Sequence, residues 1–339
     1  MSATVQPPTP IYFYLADPIP AEMPSAADVY WTDFERYMRS GVYAWIVQTY
    51  QRLRAAGFPC ELVTEMPAEG IVVTYRKSIP PDFHPPENVL LICVRADATF
   101  HHFAHLHVVL NRNQVRRWYP SHYLPHWRQN GLIPRASERG ETFENVAFFG
   151  DRGCLVPAMQ GPAWEAALRA LGLTWQIVES ARWHDFSRVD AVVAVRGFGR
   201  HRHDNKPPTK LFNAWHAGVP AILGRESAYQ HERRGALDYL EARSVEEVLA
   251  GLRQWKGDEA LRHAVIANGR ERARESEPAV NAARWQSFFN DVAMPAYEKW
   301  RAASAAEKRR FFRQGALKAK AAALRDQAER WLQRLRGHG

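Results

Sequence analysis

The sequence has 339 residues, of which 46% are hydrophobic and 24% are charged, enough apolar material for two cores of ordinary size. A single small module is therefore excluded. No apolar run approaches the roughly 20 residues of a membrane-spanning helix, and residues 1–10 lack the basic start of a signal peptide, so we expect neither membrane insertion nor export. Cys60, Cys93 and Cys154 show no C-x-x-C spacing, which indicates a reducing cytoplasm without a disulfide framework or a cysteine zinc site.

The formal charge of +9 is concentrated at the end of the chain. Residues 301–339 contain eleven basic and three acidic residues, which leaves the first 300 residues nearly neutral. This distribution argues against a broad electrostatic surface for duplex nucleic acid on the main domains. We therefore expect no nucleic-acid partner.

Short apolar runs alternate with helical patterns along the chain, which is typical of parallel sheets built from βαβ units. The pattern predicts one helix in the first half, over residues 41–56, with Gly57 as its C-terminal stop. The predicted strands of this half are 11–16, 60–64, 71–75, 89–94 and 106–110.

The alternation lapses after Tyr119, because residues 120–143 carry Pro, Gly and charges without periodicity, and we place the interdomain linker there. It then resumes, which predicts two doubly wound α/β domains, residues 1–125 and 126–279, followed by helices. The predicted strands of the second half are 145–149, 174–178, 191–195 and 219–223. The predicted helices are 162–171, 208–217, 245–255, 258–275 and 280–300.

Residues 190–223 carry most of the functional inference, since a buried strand is followed by a basic, glycine-rich loop and a helix that opens on Pro-Pro-Thr-Lys. Ligands of doubly wound sheets bind beyond the carboxyl ends of the strands. The amides of Thr209 and Lys210, the Thr209 hydroxyl and the Lys210 ammonium would surround the partly positive helix end. This arrangement predicts a diphosphate site, and the alternative is a helix that merely begins at the surface.

Residues 206–222, KPPTKLFNAWHAGVPAI, resemble the K-P-x-x-K-L-x-E-x-x-x-x-G-x-P-V-I run in the carboxyl-terminal domain of GT-B glycosyltransferases, which use a nucleotide-sugar donor. The resemblance implies the GT-B architecture, with two Rossmann-like domains that face each other across a cleft. It also implies that residues 280–302 cross back to the N-terminal domain and that Lys206, Thr209 and Lys210 contact the donor.

The sequence departs from the family at Asn205 and Asn213, which stand where many members have glutamates eight residues apart. The resemblance implies that Asn213 faces the nucleotide ribose. An amide there can pair with hydroxyl groups but brings no negative charge. The departure therefore bears on donor identity and on stereochemical outcome.

Glycine and arginine residues after two strands complete the predicted donor site. Gly150 and Arg152 follow the strand 145–149, and by resemblance this turn lies beside the sugar or the diphosphate. Arg196 and Arg200 precede the helix, where arginine suits bidentate recognition of phosphate. A plain turn and a solvated basic loop are the alternatives.

Asp97 and His102 are the candidate catalytic residues, because they follow the strand 89–94 and should lie at the rim of the cleft, where the acceptor hydroxyl needs a general base. Histidines bonded to the backbone are the alternative. Tyr43 and Trp45, at the start of the first helix, are candidates for stacking on a sugar acceptor, although aromatic residues at such spacing are more often core.

No metal and no other cofactor is expected. The sequence has no D-x-D run. His101 and His105 are four residues apart, and His201 and His203 two apart, but neither pair has the defined third ligand that a zinc site needs.

Residues 303–339 are predicted to form a basic amphipathic helix, since apolar residues recur at spacings of 4, 3, 4, 3 and 4 with basic residues between them. Such a helix suits an anionic membrane surface or an acidic partner. Packing on the protein's own surface or a short coiled coil is the alternative. The stripe consists of Leu317, Ala321, Leu324, Ala328, Trp331 and Leu335.

Together these observations predict a glycosyltransferase that moves a sugar from a nucleotide diphosphate donor to the hydroxyl of a glycan or lipid-linked acceptor, in polysaccharide or glycolipid assembly. We expect it in the cytoplasm, peripherally on the inner face of the membrane. A nucleotide-sugar epimerase or hydrolase is one alternative. A non-catalytic GT-B-like binding or scaffold protein with a basic tail is the other.

Overall fold

The computed structural model describes residues 9–19, 23–30, 41–116 and 118–336. In the first half, six strands form a sheet in which all neighbours are parallel. They are β1 (Ile11–Tyr14), β2 (Glu61–Val63), β3 (Glu69–Tyr75), β4 (Asn88–Val94), β5 (Leu106–Val109) and β6 (Ser121–Tyr123). Their order is β2-β1-β3-β4-β5-β6, and β3 and β4 each bury six consecutive residues, as expected for central strands covered on both faces.

The helix predicted over residues 41–56 is a π-helical turn, Tyr43–Val47, followed by α1 (Gln48–Ala55). The strand β6 lies within the segment that the sequence analysis assigned to the linker, and it pairs with β5 through His107 opposite Ser121. The sequence did not indicate this strand because it has three residues and no apolar run.

The second half forms a sheet of five parallel strands. They are β7 (Asn145–Phe149), β8 (Thr174–Val178), β9 (Ala191–Ala194), β10 (Ala221–Leu223) and β11 (Leu240–Glu241), in the order β11-β10-β9-β7-β8. The helices are α2 (Pro162–Ala170), α3 (Thr209–Ala217), α4 (Ser227–Glu232), α5 (Val245–Gly257) and α6 (Glu259–Ala273). The two short elements α4 and β11 were not predicted.

Local chemistry sets the ends of these helices. Gly218 follows α3 in the left-handed conformation, with φ of +67°, a common helix terminator. The Ser244 hydroxyl accepts from the Glu247 N–H at the start of α5, and the Asp258 carboxylate caps α6 through the Leu261 N–H.

The chain then returns to the first domain through α7 (Pro278–Phe288), a π-helical turn (Phe289–Ala293) and α8 (Met294–Ala302). Trp285, Phe289 and Tyr297 are buried in the core of the first domain. The Tyr297 hydroxyl also accepts a hydrogen bond of 3.1 Å from the Gly70 N–H, so the last helices are part of this domain.

The final helix, α9 (Ala305–Arg336), packs its first turns on the same domain, where Phe311 and Phe312 contact the core. The two parallel sheets and their helices confirm the predicted fold class of two Rossmann-like domains in the GT-B arrangement. Within the described part of the chain, the helices lack an apolar stretch that would span a bilayer.

Candidate functional site

A cavity of about 190 Å³ lies at the carboxyl end of β7, beside the first turn of α3, with Val192 of β9 in its wall. Four of the predicted donor residues line it, since Thr209, Lys210 and Asn213 reach it from α3 and Gly150 from the end of β7. Phe149 and Asp151, which also line it, belong to the turn that the resemblance placed beside the sugar or the diphosphate. Sequence reasoning missed the other lining residues, which carry no local motif, namely Gln129, Cys154, Trp183, Phe186 and Val192.

Lys210 places a cation in this cavity. Its ammonium has no carboxylate within 4 Å among the described residues and lies 5.3 Å from the centre of the Phe148 ring. Burial and, after it, the nearby charge of Arg196 lower the pKa of Lys210 to about 8, while the charge of Glu226 acts in the opposite direction. Because a desolvated cation gains most from an anionic partner, this position favours a ligand with negative charge.

Gly150 allows Lys210 to lie over the end of β7. A Cβ atom at residue 150 would be 3.0 Å from the Phe148 ring and 3.3 Å from Cε of Lys210. A side chain at residue 150 would crowd the alkyl chain of Lys210, so this position of the lysine favours glycine at residue 150.

Arg196 is held near Lys210 by Glu226, a residue that sequence reasoning did not single out. Nε of Arg196 lies 3.1 Å from Oε2 of Glu226, whose exposed fraction is 2%. Burial acts to lower the pKa of Arg196, but the Glu226 charge raises it overall, so the guanidinium stays protonated. The other carboxylate oxygen, Oε1, has no hydrogen-bond partner among the described residues.

The predicted donor ligand Lys206 and the predicted catalytic base Asp97 pair with each other. Nζ of Lys206 lies 3.0 Å from Oδ2 of Asp97, and Lys77 lies 3.6 Å from Oδ1. Burial acts to raise the Asp97 pKa, but the hydrogen bond and charge of Lys206 lower it overall. The carboxylate is therefore ionised and is partly neutralised from the second domain.

Further hydrogen bonds join the two domains beside this ion pair. The Asn111 amide, after β5, donates to the Lys206 carbonyl and to the Ser227 hydroxyl, both at 3.0 Å. Asn113 donates to Asp204 at 2.8 Å. The loop that precedes α3 thus faces the first domain, and the helix start lies at the junction of the two.

Asn213 lines the cavity, but its amide oxygen is already engaged. Oδ1 accepts a hydrogen bond of 3.0 Å from the Gln129 N–H, and the side chain is nearly buried. The residue therefore fastens the segment between the domains to α3. A glutamate at this position could make the same contact, so the hydrogen bond does not by itself explain the amide.

Two predicted arginines point away from the cavity lining. Arg152 is exposed, and its guanidinium donates to the Gln160 carbonyl at 3.4 Å. Arg200 is exposed in the loop before α3. Neither arginine lines the cavity, so Arg152 fits the alternative of a plain turn and Arg200 that of a solvated basic loop.

The candidates on the first domain also differ from the expectation. Tyr43 is 1% exposed within the core, so its ring is not available for stacking on an acceptor. Trp45 is half-buried and packs edge-on against His126. Nδ1 of His102 lies 2.9 Å from the Tyr119 hydroxyl, and no hydrogen bond joins His102 to Asp97 among the described contacts.

Trp183 connects the cavity to both domains. It packs against the hydrophobic cores of the first and second halves and lines the cavity. Its indole N–H donates to the Val178 carbonyl at 2.9 Å. The indole gives the site an apolar wall that is fixed in position.

Among the described residues, one set of three side chains has metal-ligand chemistry within short reach, namely Glu141, Glu259 and His263. All three are exposed, and Glu141 already pairs with Arg262 at 3.0 Å. They lie outside the cavity lining.

Neither a protein-family model nor a curated protein matches the sequence. Solved structures similar to this one include sucrose-phosphate synthase from Thermosynechococcus elongatus, with 12% identity over 74% of this chain and 79% of that one and a TM-score of 0.45. Anabaena HepE in complex with UDP and glucose has 9% identity over 84% and 100%, with a TM-score of 0.48. The lipopolysaccharide glycosyltransferase WaaG has 12% identity over 82% and 99%, with a TM-score of 0.46.

At these identities and TM-scores, the description of the fold and the assignment of site residues rest on contacts within this chain. The two parallel sheets, the junction between their carboxyl ends and the helices that return to the first domain are the chain's own evidence. The fold is the two-domain GT-B fold that the sequence indicated.

Proposed function

We propose that the protein is a glycosyltransferase that moves a sugar from a nucleotide diphosphate donor to an acceptor hydroxyl. The observation that supports this most is the Lys210 ammonium, which has no carboxylate within 4 Å among the described residues and lines a cavity at the start of α3. A cation in this setting binds an anion of the size of a diphosphate better than a neutral ligand.

The diphosphate is held in this proposal by the first turn of α3. The N–H groups of Thr209 and Lys210 are the first two of the helix and have no intrahelical acceptor. The Thr209 hydroxyl and the Lys210 ammonium add two side-chain donors at the same end. Pro207 and Pro208 supply no N–H, so these four groups must provide most of the contacts.

Transfer requires that a bond form between the acceptor oxygen and the anomeric carbon while the bond from that carbon to the diphosphate breaks. Lys210 and Arg196 would stabilise the negative charge that develops on the departing diphosphate. Asp97 would take the proton of the acceptor hydroxyl, and its pairing with Lys206 keeps it ionised for that purpose. No metal ion has a role in this scheme.

The acceptor in this proposal is a glycan or lipid-linked hydroxyl, and the reaction belongs to polysaccharide or glycolipid assembly in the cytoplasm. Asp97 lies at the carboxyl end of β4, on the side of the junction opposite Lys210. The acceptor would therefore enter from the first domain.

Titration calorimetry with a panel of nucleoside diphosphates tests the donor site. We expect Lys210→Ala to weaken binding at least tenfold, because the variant removes an ammonium group from the cavity wall. Lys256→Ala is the matched control, since this lysine is exposed and bonds to the Gly172 carbonyl at 2.7 Å, outside the cavity lining. Equal affinity of Lys210→Ala and the control would refute the phosphate role.

Product analysis then separates the reactions. Incubation of the bound nucleotide sugar with and without glycan acceptors should yield a new glycoside only with an acceptor. Release of free sugar without an acceptor would show that the reaction is hydrolysis, and an epimerised donor would show that it is epimerisation. Either result would contradict sugar transfer.

A further inference from the structure

The helix α9 has two faces, and one of them packs on the described part of the first domain. Phe311 and Phe312 pack against the first core, Lys308 is 8% exposed, and Gly315 is buried. A Cβ atom at residue 315 would lie 2.6 Å from the Phe103 ring and 2.8 Å from the His102 carbonyl oxygen. These contacts fix the rotation of the helix about its axis.

The opposite face carries large apolar side chains in water. Leu317, Leu324 and Trp331 have exposed fractions of 66%, 67% and 61%. They recur every seven residues, so they lie within about 40° of one another around the helix. The buried Gly315 lies about 160° from Leu317, and the apolar row therefore points away from the protein.

Basic residues share the outward face. Arg310, Arg313 and Lys320 are exposed and project within about 60° of Leu317. The exposed Arg325 stands beside the row. The outward face is thus apolar along its centre and cationic on both sides.

A second element extends this surface. Trp118, in the loop before β6, is 79% exposed, the highest value among the exposed large apolar residues that the structure describes. Nζ of Lys318 donates to the Trp118 carbonyl at 3.0 Å and lies 4.8 Å from the centre of the Tyr119 ring. The loop and the helix are therefore joined at this point.

We infer that the outward face of α9 and Trp118 form a docking surface for an anionic phospholipid bilayer. Pairing of two copies through this face would bring Arg310, Arg313 and Lys320 of each copy together, and like charges oppose such an interface. An anionic bilayer complements the bases, accepts the leucines and suits exposed tryptophan at the headgroup level. This inference extends the proposed function, since it places a lipid-linked acceptor beside the His102 loop that α9 touches.

Flotation of the whole protein with vesicles tests the surface. We expect binding to phosphatidylcholine vesicles that contain phosphatidylglycerol and little binding to pure phosphatidylcholine, with loss of binding at high salt. Arg313→Glu with Lys320→Glu should weaken binding at least tenfold. The matched control is Arg253→Glu with Arg274→Glu, two exposed arginines of the second domain, which should bind as the parent does.

Apolar variants test the second component of the surface. Leu324→Ser with Trp331→Ser, and separately Trp118→Ser, should weaken vesicle binding several-fold, whereas Leu237→Ser, at an exposed leucine of the second domain, should not. Equal binding to neutral and anionic vesicles, or unchanged binding of the charge-reversed variant, would overturn the inference. So would binding to polyglutamate without binding to vesicles, or dimers that dissociate in the Leu324→Ser/Trp331→Ser variant.

The same preparations are titrated with nucleoside diphosphates, which keeps the two proposals separate. Vesicle binding without nucleotide binding would leave the docking surface in place and refute the donor site. Nucleotide binding without vesicle binding would support the donor site and refute the docking surface. Circular dichroism of each variant shows whether it is folded.

Discussion

Asp97 and Lys206 come from different domains and form an ion pair of 3.0 Å at the junction between them. The lysine belongs to the run that resembles a donor-binding motif, and the carboxylate is the candidate base. A donor diphosphate that recruits Lys206 must therefore compete with Asp97.

This competition makes the first prediction. Asp97→Asn should increase the affinity for a nucleoside diphosphate several-fold, because Lys206 is released, and should reduce sugar transfer at least a hundredfold, because the base is lost. Calorimetry and a transfer assay measure the two effects. A variant that binds more weakly than the parent would show that the carboxylate supports the donor site instead of competing with it.

The second prediction concerns pH. Burial lowers the pKa of Lys210 to about 8, and binding of an anion favours the protonated lysine, so the affinity for a nucleoside diphosphate should fall as the pH rises through 8. Lys210→Arg is the control, since arginine remains protonated across this range. Titrations between pH 6.5 and 9.5 in both proteins check the prediction, and a parallel decline in the two would contradict it.

Cysteine alkylation provides a third prediction. Cys60 and Cys93 are buried, and burial raises the pKa of each thiol to about 12, whereas Cys154 is half-buried in the cavity wall. N-ethylmaleimide should label Cys154 first, and a nucleoside diphosphate should slow that reaction several-fold. Mass spectrometry of the labelled peptides gives the rates. Labelling of Cys154 at an unchanged rate with saturating nucleotide would place the ligand elsewhere.

The fourth prediction is acid destabilisation through buried histidines. Burial lowers the pKa of His101 and His126 to about 4 and that of His107 to about 3. Below pH 6.5 the unfolded chain binds protons that the folded chain excludes, so the free energy of unfolding should fall by a few kcal/mol between pH 6.5 and pH 4. Urea denaturation at several pH values measures this.

Replacement of the exposed His231 by Gln should leave that dependence on pH unchanged. A free energy of unfolding that stays constant from pH 7 to pH 4.5 would show that the histidines are protonated in the folded protein.

The sequence was sufficient to predict the bounds of those strands that consist of a continuous, mostly apolar run of residues. The strands 145–149 and 174–178 have the predicted bounds, because each is a short apolar run between polar segments. It failed for β6 and β11, which have three and two residues and obtain their structure from parallel neighbours. Such strands leave no periodic signal.

In the candidate site too, residues that belong to a local sequence pattern could be predicted, and residues that are brought in by tertiary packing could not. Thr209, Lys210 and Asn213 line one cavity because positions i, i+1 and i+4 lie on the same side of a helix. Gly150 lies beside them because the carboxyl ends of parallel strands meet at one edge of the sheet. Glu226, Trp183 and Gln129 come from distant parts of the chain. Their contacts depend on tertiary packing, which no local pattern encodes.

Trp183 belongs to the hydrophobic cores of both domains at once. Loss of either core would expose the same indole, so heat should melt the two halves in a single calorimetric transition. The ring is one of several contacts between the halves, and a smaller residue there would weaken this contact without removing a polar group from the cavity.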